Sequence, residues 1–119
     1  MMADGLVLFL DSGIGELSYV SPARELLPKE RFFYIADNRH FPYGEKPYEK
    51  VLQRAAFLTG LCIELFQPKA VVVACNTASV IALSALRRHY SVPFIGVVPA
   101  VKPAAELSKS RKIGIFATN

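Results

Sequence analysis

A short apolar run that ends in a cysteine constrains this chain more than any other feature. Residues 71–74 read Val-Val-Val-Ala, and Cys75, Asn76 and Thr77 follow at once. An unbroken run rich in β-branched residues is typical of a strand buried on both faces in a parallel sheet. Asn76 or Thr77 is a suitable N-cap for the periodic segment that follows. Cys75 is therefore predicted to lie where a strand ends and a helix begins.

The predicted position of Cys75 favours a reactive thiol beside a carboxylate pocket. Open α/β sheets bind ligands at the carboxyl ends of their strands. The N-terminus of the next helix offers unpaired N–H groups and a positive dipole end, which attract anions and favour a thiolate. Most buried cysteines are instead inert apolar side chains. Cys62, which falls at the apolar spacing of a long helix, is predicted to be one of these.

Strand-like and helix-like segments alternate along the chain. The strand-like segments are residues 5–10, 31–36, 71–74, 92–97 and 112–117. Helix periodicity marks residues 15–27, 47–66, 77–90 and 99–107. This alternation predicts an α/β fold of three layers, with a mainly parallel sheet and helices on both of its faces. The last strand runs straight into the chain end, so the fold is expected to be incomplete.

Composition and charge argue against several classes of protein. The 119 residues are 52% apolar, which argues against disorder. The net charge of +4 is dispersed, and the basic clusters at 87–89 and 109–112 are predicted to be solvated, with no nucleic-acid surface. Two cysteines without metal-ligand spacing predict no zinc site and no disulfide framework, and they fit a reducing, cytoplasmic setting. The apolar run at 6–10 is too short for a signal peptide or membrane span.

Polar residues follow each of the first three predicted strands. They are, in chain order, Asp11 and Ser12, then Asp37 with Tyr43 and Gly44, then Cys75 with Asn76 and Thr77. Because the carboxyl ends of parallel strands share one edge of the sheet, these residues are expected to converge on a small-molecule pocket. The Tyr43–Gly44 pair also fits a simple proline-bounded turn. The functional alternative is a backbone N–H and a hydroxyl held over the pocket.

The first loop also carries a partial dinucleotide-binding pattern. Gly13, Gly15 and Ser18 give G-x-G-x-x-S after a strand, and Asp37 ends the next strand, where an acid would hold a ribose. The third glycine of that pattern is missing. Two other interpretations stay open: a tight turn that needs the conformational freedom of glycine, and a small-ligand loop in which the preceding Asp-Ser pair points at the substrate.

Together, the motifs resemble the amino-terminal half of the glutamate racemase family. The matching segments are 10–15 (Leu-Asp-Ser-Gly-Ile-Gly), 36–45 (Ala-Asp-Asn-Arg-His-Phe-Pro-Tyr-Gly-Glu), 73–79 (Val-Ala-Cys-Asn-Thr-Ala-Ser), 92–100 and 113–118. They occur in order and at the spacing of the family. The resemblance implies an aspartate/glutamate racemase-like fold that interconverts L- and D-glutamate without a cofactor or metal and supplies D-glutamate for peptidoglycan. Glutamate is the implied partner, with no nucleic acid or membrane.

The resemblance also implies roles for individual residues. Cys75 would be one of two catalytic cysteines, and Asp11 would assist it or meet the substrate ammonium. The implied substrate-binding residues are Asp11, Ser12, Tyr43, Gly44, Asn76 and Thr77. Inverting an α-carbon requires a proton to leave one face and another to arrive at the opposite face, and a thiolate base facing a thiol acid is the simplest arrangement. Without pyridoxal phosphate, aimed N–H donors must stabilise the carbanion.

The chain also departs from the family pattern. It lacks the second motif, Gly-Cys-Thr-His, that carries the opposing cysteine, and Glu16 stands where the family has glycine. The resemblance implies that residues 1–97 form a first domain without its returning C-terminal part, and that residues 98–119 begin a second, truncated domain. The chain alone is therefore expected to be inactive, and its uncovered inner surface is expected to favour a homo-oligomer. The alternatives are a non-catalytic module that binds an amino acid or a protein, and a nucleotide-binding domain.

Overall fold

The computed structural model of the protein describes residues 5–97 and 99–117, and a four-stranded parallel sheet lies at its centre. The strands are β1 (Val7–Asp11), β2 (Phe32–Ala36), β3 (Ala70–Val73) and β4 (Phe94–Gly96). They lie in the order β2-β1-β3-β4, and each neighbouring pair is parallel. The predicted α/β fold with a parallel sheet is confirmed.

In the part of the chain that the structure describes, four α-helices connect or follow these strands. They are α1 (Val20–Leu26), α2 (Tyr48–Phe66), α3 (Asn76–His89) and α4 (Val101–Leu107). Short 3₁₀ helices occupy Gly15–Tyr19, Asn38–His40 and Tyr43–Glu45. The helix predicted over 15–27 is therefore divided. Pro22 explains the division, because a proline fits the first turn of an α-helix but not its interior, and α1 begins two residues before it.

The core lies between one face of the sheet and the helices α2 and α3. Successive side chains of a strand point to opposite faces, so Leu8 and Leu10 of β1 are buried on the same face as Val71 and Val73 of β3. The two helices contribute the buried side chains Val51, Ala55, Thr59, Cys62, Ala78, Ser79, Ala82, Leu83 and Leu86. Cys62 is thus a core residue, as predicted.

The opposite face of the sheet carries aromatic side chains. The ring of Phe9 packs against the rings of Phe32 and Tyr34. The chain moves along the sheet in one direction from β1 to β2, and in the opposite direction from β2 to β3 and from β3 to β4. Because crossover connections are right-handed, α1 lies on the face opposite to α2 and α3. Val20 of α1 accordingly lines one groove with Phe32. The sheet has helices on both faces, as predicted.

The fifth strand predicted at 112–117 is not formed. These residues have no regular secondary structure and are exposed, including Ile115 and Phe116. A strand needs a neighbour to satisfy its backbone N–H and C=O groups, and alternating apolar residues cannot replace that neighbour. Parts of both predicted domains lie outside the described residues: residues 1–4 of the first domain, and residues 98, 118 and 119 of the second. Within the described ranges, the apolar stretch of every helix falls short of what a membrane crossing requires.

Candidate active site

The loops that follow β1, β2 and β3 meet at the carboxyl edge of the sheet. They border an open cavity of about 560 Å³, a normal size for a small-molecule site. The predicted site residues all line this cavity: Asp11, Ser12, Tyr43, Gly44, Cys75, Asn76 and Thr77. The later part of the chain adds Pro99, Val101, Ile115, Phe116 and Ala117 to the lining. The convergence predicted from the parallel strands is therefore present.

Cys75 connects β3 to α3 and caps the helix itself. Its Sγ atom accepts a hydrogen bond from the backbone N–H of Ala78 at 3.4 Å. The prediction that Asn76 or Thr77 is the N-cap was wrong, since α3 already includes both. The sulfur takes the place that a Ser or Asp oxygen usually has at this position. It therefore lies at the N-terminus of α3, beside the positive end of the helix dipole.

Asp11 is held in place by two hydrogen-bond donors. Its Oδ2 atom accepts from the backbone N–H of Glu16 at 3.0 Å and from the hydroxyl of Tyr34 at 2.5 Å. The Glu16 contact comes from the backbone, so it does not depend on the side chain that departs from the family pattern. Burial and the hydrogen bond to Asp11 raise the pKa of Tyr34, which keeps its hydroxyl a donor. Asp11 and Cys75 also line a second, smaller cavity, to which Tyr43 contributes as well.

Tyr43 does not present its hydroxyl to the cavity. The hydroxyl donates to Oδ2 of Asp37 at 2.6 Å, and the residue is buried. Burial and this bond raise the pKa of Tyr43. This contact argues against the alternative of a hydroxyl held over the pocket. The rest of Tyr43 and the adjacent Gly44 do line the cavity.

Asp37 lies at the predicted edge of the sheet, but it does not line the cavity. Its carboxylate accepts from Arg54 Nε at 2.7 Å and Arg54 Nη2 at 3.0 Å, and His40 Nδ1 lies 3.0 Å from Oδ1. Burial alone raises the pKa of this carboxyl, but the hydrogen bonds from Arg54, Tyr43 and His40 outweigh burial and hold the pKa well below its usual range. The carboxylate is thus occupied by protein partners, which argues against a role in holding a ribose.

The roles of Tyr34 and Arg54 were not predicted from the sequence. Each had a weak signal: Tyr34 carries a hydroxyl inside an apolar strand, and Arg54 falls between apolar positions on the inner side of α2. The glycine-turn interpretation of the first loop also fails, because no glycine among the described residues has a positive φ. Gly13 instead lies close to the ring of Phe41, where a Cβ atom would come within 2.8 Å of that side chain.

Comparison with known proteins identifies the family. Residues 18–119 match the family model described as Asp/Glu/Hydantoin racemase. The chain belongs to the Asp/Glu/hydantoin racemase family. It is 47% identical over 115 residues to a glutamate racemase of Sphingopyxis alaskensis, covering 97% of this chain and 43% of that protein.

Solved structures of racemases have the same fold. A glutamate racemase of Bacillus anthracis superposes with a TM-score of 0.77 at 40% identity, over 88% of this chain and 40% of that chain. The Escherichia coli glutamate racemase was solved in complex with L-glutamate and the activator UDP-MurNAc-ala. It superposes with a TM-score of 0.77 at 42% identity, over 89% of this chain and 40% of that chain. The chain thus spans less than half the length of these racemases.

Proposed function

We propose that this chain carries one half of a cofactor-independent glutamate racemase site. The observation that supports this most strongly is the position of Cys75: its sulfur caps a helix and lines a cavity that also contains Asp11. The relatives described above are glutamate racemases, and the E. coli relative was solved with L-glutamate. A thiolate at this position can act as a base towards a substrate whose carboxylate lies near the start of α3.

In the proposed reaction, the Cys75 thiolate removes the α-proton from one enantiomer of glutamate. The electron pair of the broken C–H bond moves onto the substrate carboxylate, which N–H and hydroxyl donors of Ser12, Asn76 and Thr77 stabilise. Asp11 meets the substrate ammonium or assists Cys75, and Tyr43 and Gly44 border the substrate. A thiol on the opposite face then donates a proton to the carbanion and completes the inversion.

The opposing thiol must come from outside this sequence. The sequence contains one other cysteine, Cys62, and it is a residue of α2 that is buried in the core. We infer that residues 1–97 form the first domain, without its returning part, and that residues 98–119 begin the second. The residues of 99–117 that line the cavity support this division, because a second domain would cover the substrate from that side.

The product would be D-glutamate for peptidoglycan synthesis in the cytoplasm. Both cysteines are free thiols, which fits a reducing compartment. The chain would also self-associate, because large apolar side chains such as Val80, Leu107 and Phe116 are exposed. Size-exclusion chromatography over a dilution series tests this part. A clean monomer at all concentrations would contradict it.

Activity is best tested in a chimera. This chain would be joined to the part of the S. alaskensis racemase that follows the matched region, and racemisation would be followed by chiral chromatography. The chimera is expected to be active, and Cys75→Ala is expected to reduce turnover by on the order of 10³-fold or more. Cys62→Ala is the matched control and is expected to retain activity. The isolated chain should give no net racemisation, and turnover by it that Cys75→Ala abolishes would contradict the half-site.

The second candidate is a non-catalytic binding module, which the presence of a single cavity thiol favours. It predicts that glutamate protects Cys75 from alkylation, while the folded chimera exchanges no α-proton of glutamate with solvent. Exchange in the chimera that requires Cys75 would exclude this alternative.

A further inference from the structure

The loop over the cavity is tied to the body of the protein through a buried carboxylate. This loop, residues 38–46, consists of two 3₁₀ turns joined by an extended segment. Its described backbone N–H bonds run within the loop or to the carbonyl of Asp37, as those of His40, Phe41 and Lys46 do. The loop's own backbone therefore does little to fix its position relative to Cys75.

The side chain of Asp37 supplies the missing connection. One of its oxygens, Oδ2, accepts both from the Tyr43 hydroxyl in the loop and from Nε of Arg54 on α2. The other oxygen, Oδ1, accepts from Nη2 of Arg54 and lies at hydrogen-bonding distance from Nδ1 of His40, which is also in the loop. The carboxylate thus joins both turns of the loop to a helix in the core.

We propose that Asp37 and Arg54 form a clamp that positions the Tyr43–Gly44 turn over Cys75. Neither Asp37 nor Arg54 lines the cavity, so they are positioning residues and not catalytic ones. Arg54 is suited to this task because its planar guanidinium gives two parallel hydrogen bonds and its charge balances the buried carboxylate. Tyr43 is buried and lines the same small cavity as Cys75, which is itself buried, so movement of this turn would expose the thiol.

The inference rests on the proposed function only for the identity of the ligand in the cavity. The contacts that define the clamp are all made between residues of the chain itself. Its test can therefore be carried out on the ligand-free chain, and its result does not depend on whether glutamate binds.

The experiment measures alkylation of each cysteine by iodoacetamide in the native 119-residue chain, with quantification by peptide mass spectrometry. Tyr43→Phe removes only the hydroxyl link, and it is expected to raise the alkylation rate of Cys75 about tenfold, as for the loss of one hydrogen bond to a charged group. Arg54→Met is expected to raise it further. Arg54→Lys, which keeps the charge but loses the two-point contact, should fall between Arg54→Met and the wild type.

Two controls separate the clamp from general destabilisation. Tyr48→Phe removes a hydroxyl from an exposed tyrosine at the start of α2, and it should leave the Cys75 rate unchanged. Cys62 reports on global opening, and its rate should stay constant in Tyr43→Phe. Hydrogen exchange should accelerate in residues 38–46.

Unchanged Cys75 rates and unchanged exchange in both Tyr43→Phe and Arg54→Met would overturn the clamp. So would an equal rise at Cys62 and Cys75, because the effect would then be global. If glutamate fails to protect Cys75 in the wild-type chain while these variants behave as expected, the proposed function fails and the clamp stands.

Discussion

Cys62 and Cys75 are almost equally buried, at 3% and 6% exposure, but they lie in different kinds of structure. Cys62 is in the middle of α2, among apolar side chains, and burial raises its pKa. Cys75 lies at the junction of β3 and α3, where its sulfur accepts a backbone hydrogen bond and borders a cavity. The position of a thiol relative to the ends of strands and helices, and not its burial, therefore determines what chemistry it can perform.

The largest expected difference between the two cysteines is in their reactivity. In the native chain, Cys75 should be alkylated on the order of 10² to 10³ times faster than Cys62, because Cys62 reacts only when the core opens. Time-resolved peptide mass spectrometry with iodoacetamide measures both rates in one sample. In urea the two alkylation rates should become similar. Equal rates in the native chain would contradict the difference in reactivity between Cys62 and Cys75.

Stability should depend strongly on the buried carboxylate beside the cavity. Asp37→Asn leaves the Arg54 guanidinium without its counter-charge, so we expect the free energy of unfolding to fall by roughly 3 kcal/mol. Glu106→Gln, which removes an exposed pair with Lys102, should change it by less than about 0.5 kcal/mol. Urea denaturation followed by circular dichroism measures the free energy of unfolding of both variants. Equal effects of the two substitutions would show that Asp37 is not structurally coupled to its partners.

The pH dependence of stability follows from the same carboxylate. Its pKa is lowered in the folded state, so it stabilises the fold in full above the unfolded pKa, about pH 4, and this contribution is lost as pH falls further. The wild type should therefore lose stability below about pH 4 more steeply than Asp37→Asn. Parallel acid dependence of the two proteins, measured by thermal melts from neutral pH downwards, would contradict the assignment.

The two cysteines should also differ when each is replaced by serine. Cys62→Ser places a hydroxyl among apolar side chains and should lower the free energy of unfolding by about 2 kcal/mol. Cys75→Ser should stay within about 1 kcal/mol of the wild type, since a serine oxygen is a better N-cap acceptor for the Ala78 N–H. Thermal melts of both variants test this. A larger loss in Cys75→Ser would mean that its sulfur has a packing role beyond the cap.

A further prediction concerns the hydrogen bond that holds Asp11. Tyr34→Phe removes the hydroxyl but keeps the ring that packs on Phe9, so we expect the free energy of unfolding to fall by about 1.5 kcal/mol. Tyr48→Phe on the surface of α2 is the matched control and should cost almost nothing. Chemical denaturation gives both values, and an unchanged Tyr34→Phe would show that Asp11 does not need this donor.

The sequence was sufficient for the four strands of the sheet, the long helices and the cavity edge, because each depends on local pattern and on parallel topology. It could not reveal what the polar groups contact. Tyr34 reaches Asp11 from 23 residues away, and Arg54 reaches Asp37 from 17. The Tyr43 hydroxyl turned away from the pocket for the same reason, since Asp37 competes for it. The strand predicted at 112–117 failed because a strand requires a neighbour that local pattern does not report.

The most direct test of the central claim is protection of Cys75 by substrate. The wild-type chain would be alkylated with iodoacetamide in the presence of L-glutamate, D-glutamate or NAD, and both cysteines would be quantified. We predict that glutamate slows the modification of Cys75 in a saturable way, that it leaves Cys62 unaffected, and that NAD has no effect. Alkylation of Cys75 at the same rate with and without either enantiomer would contradict its assignment to a glutamate site.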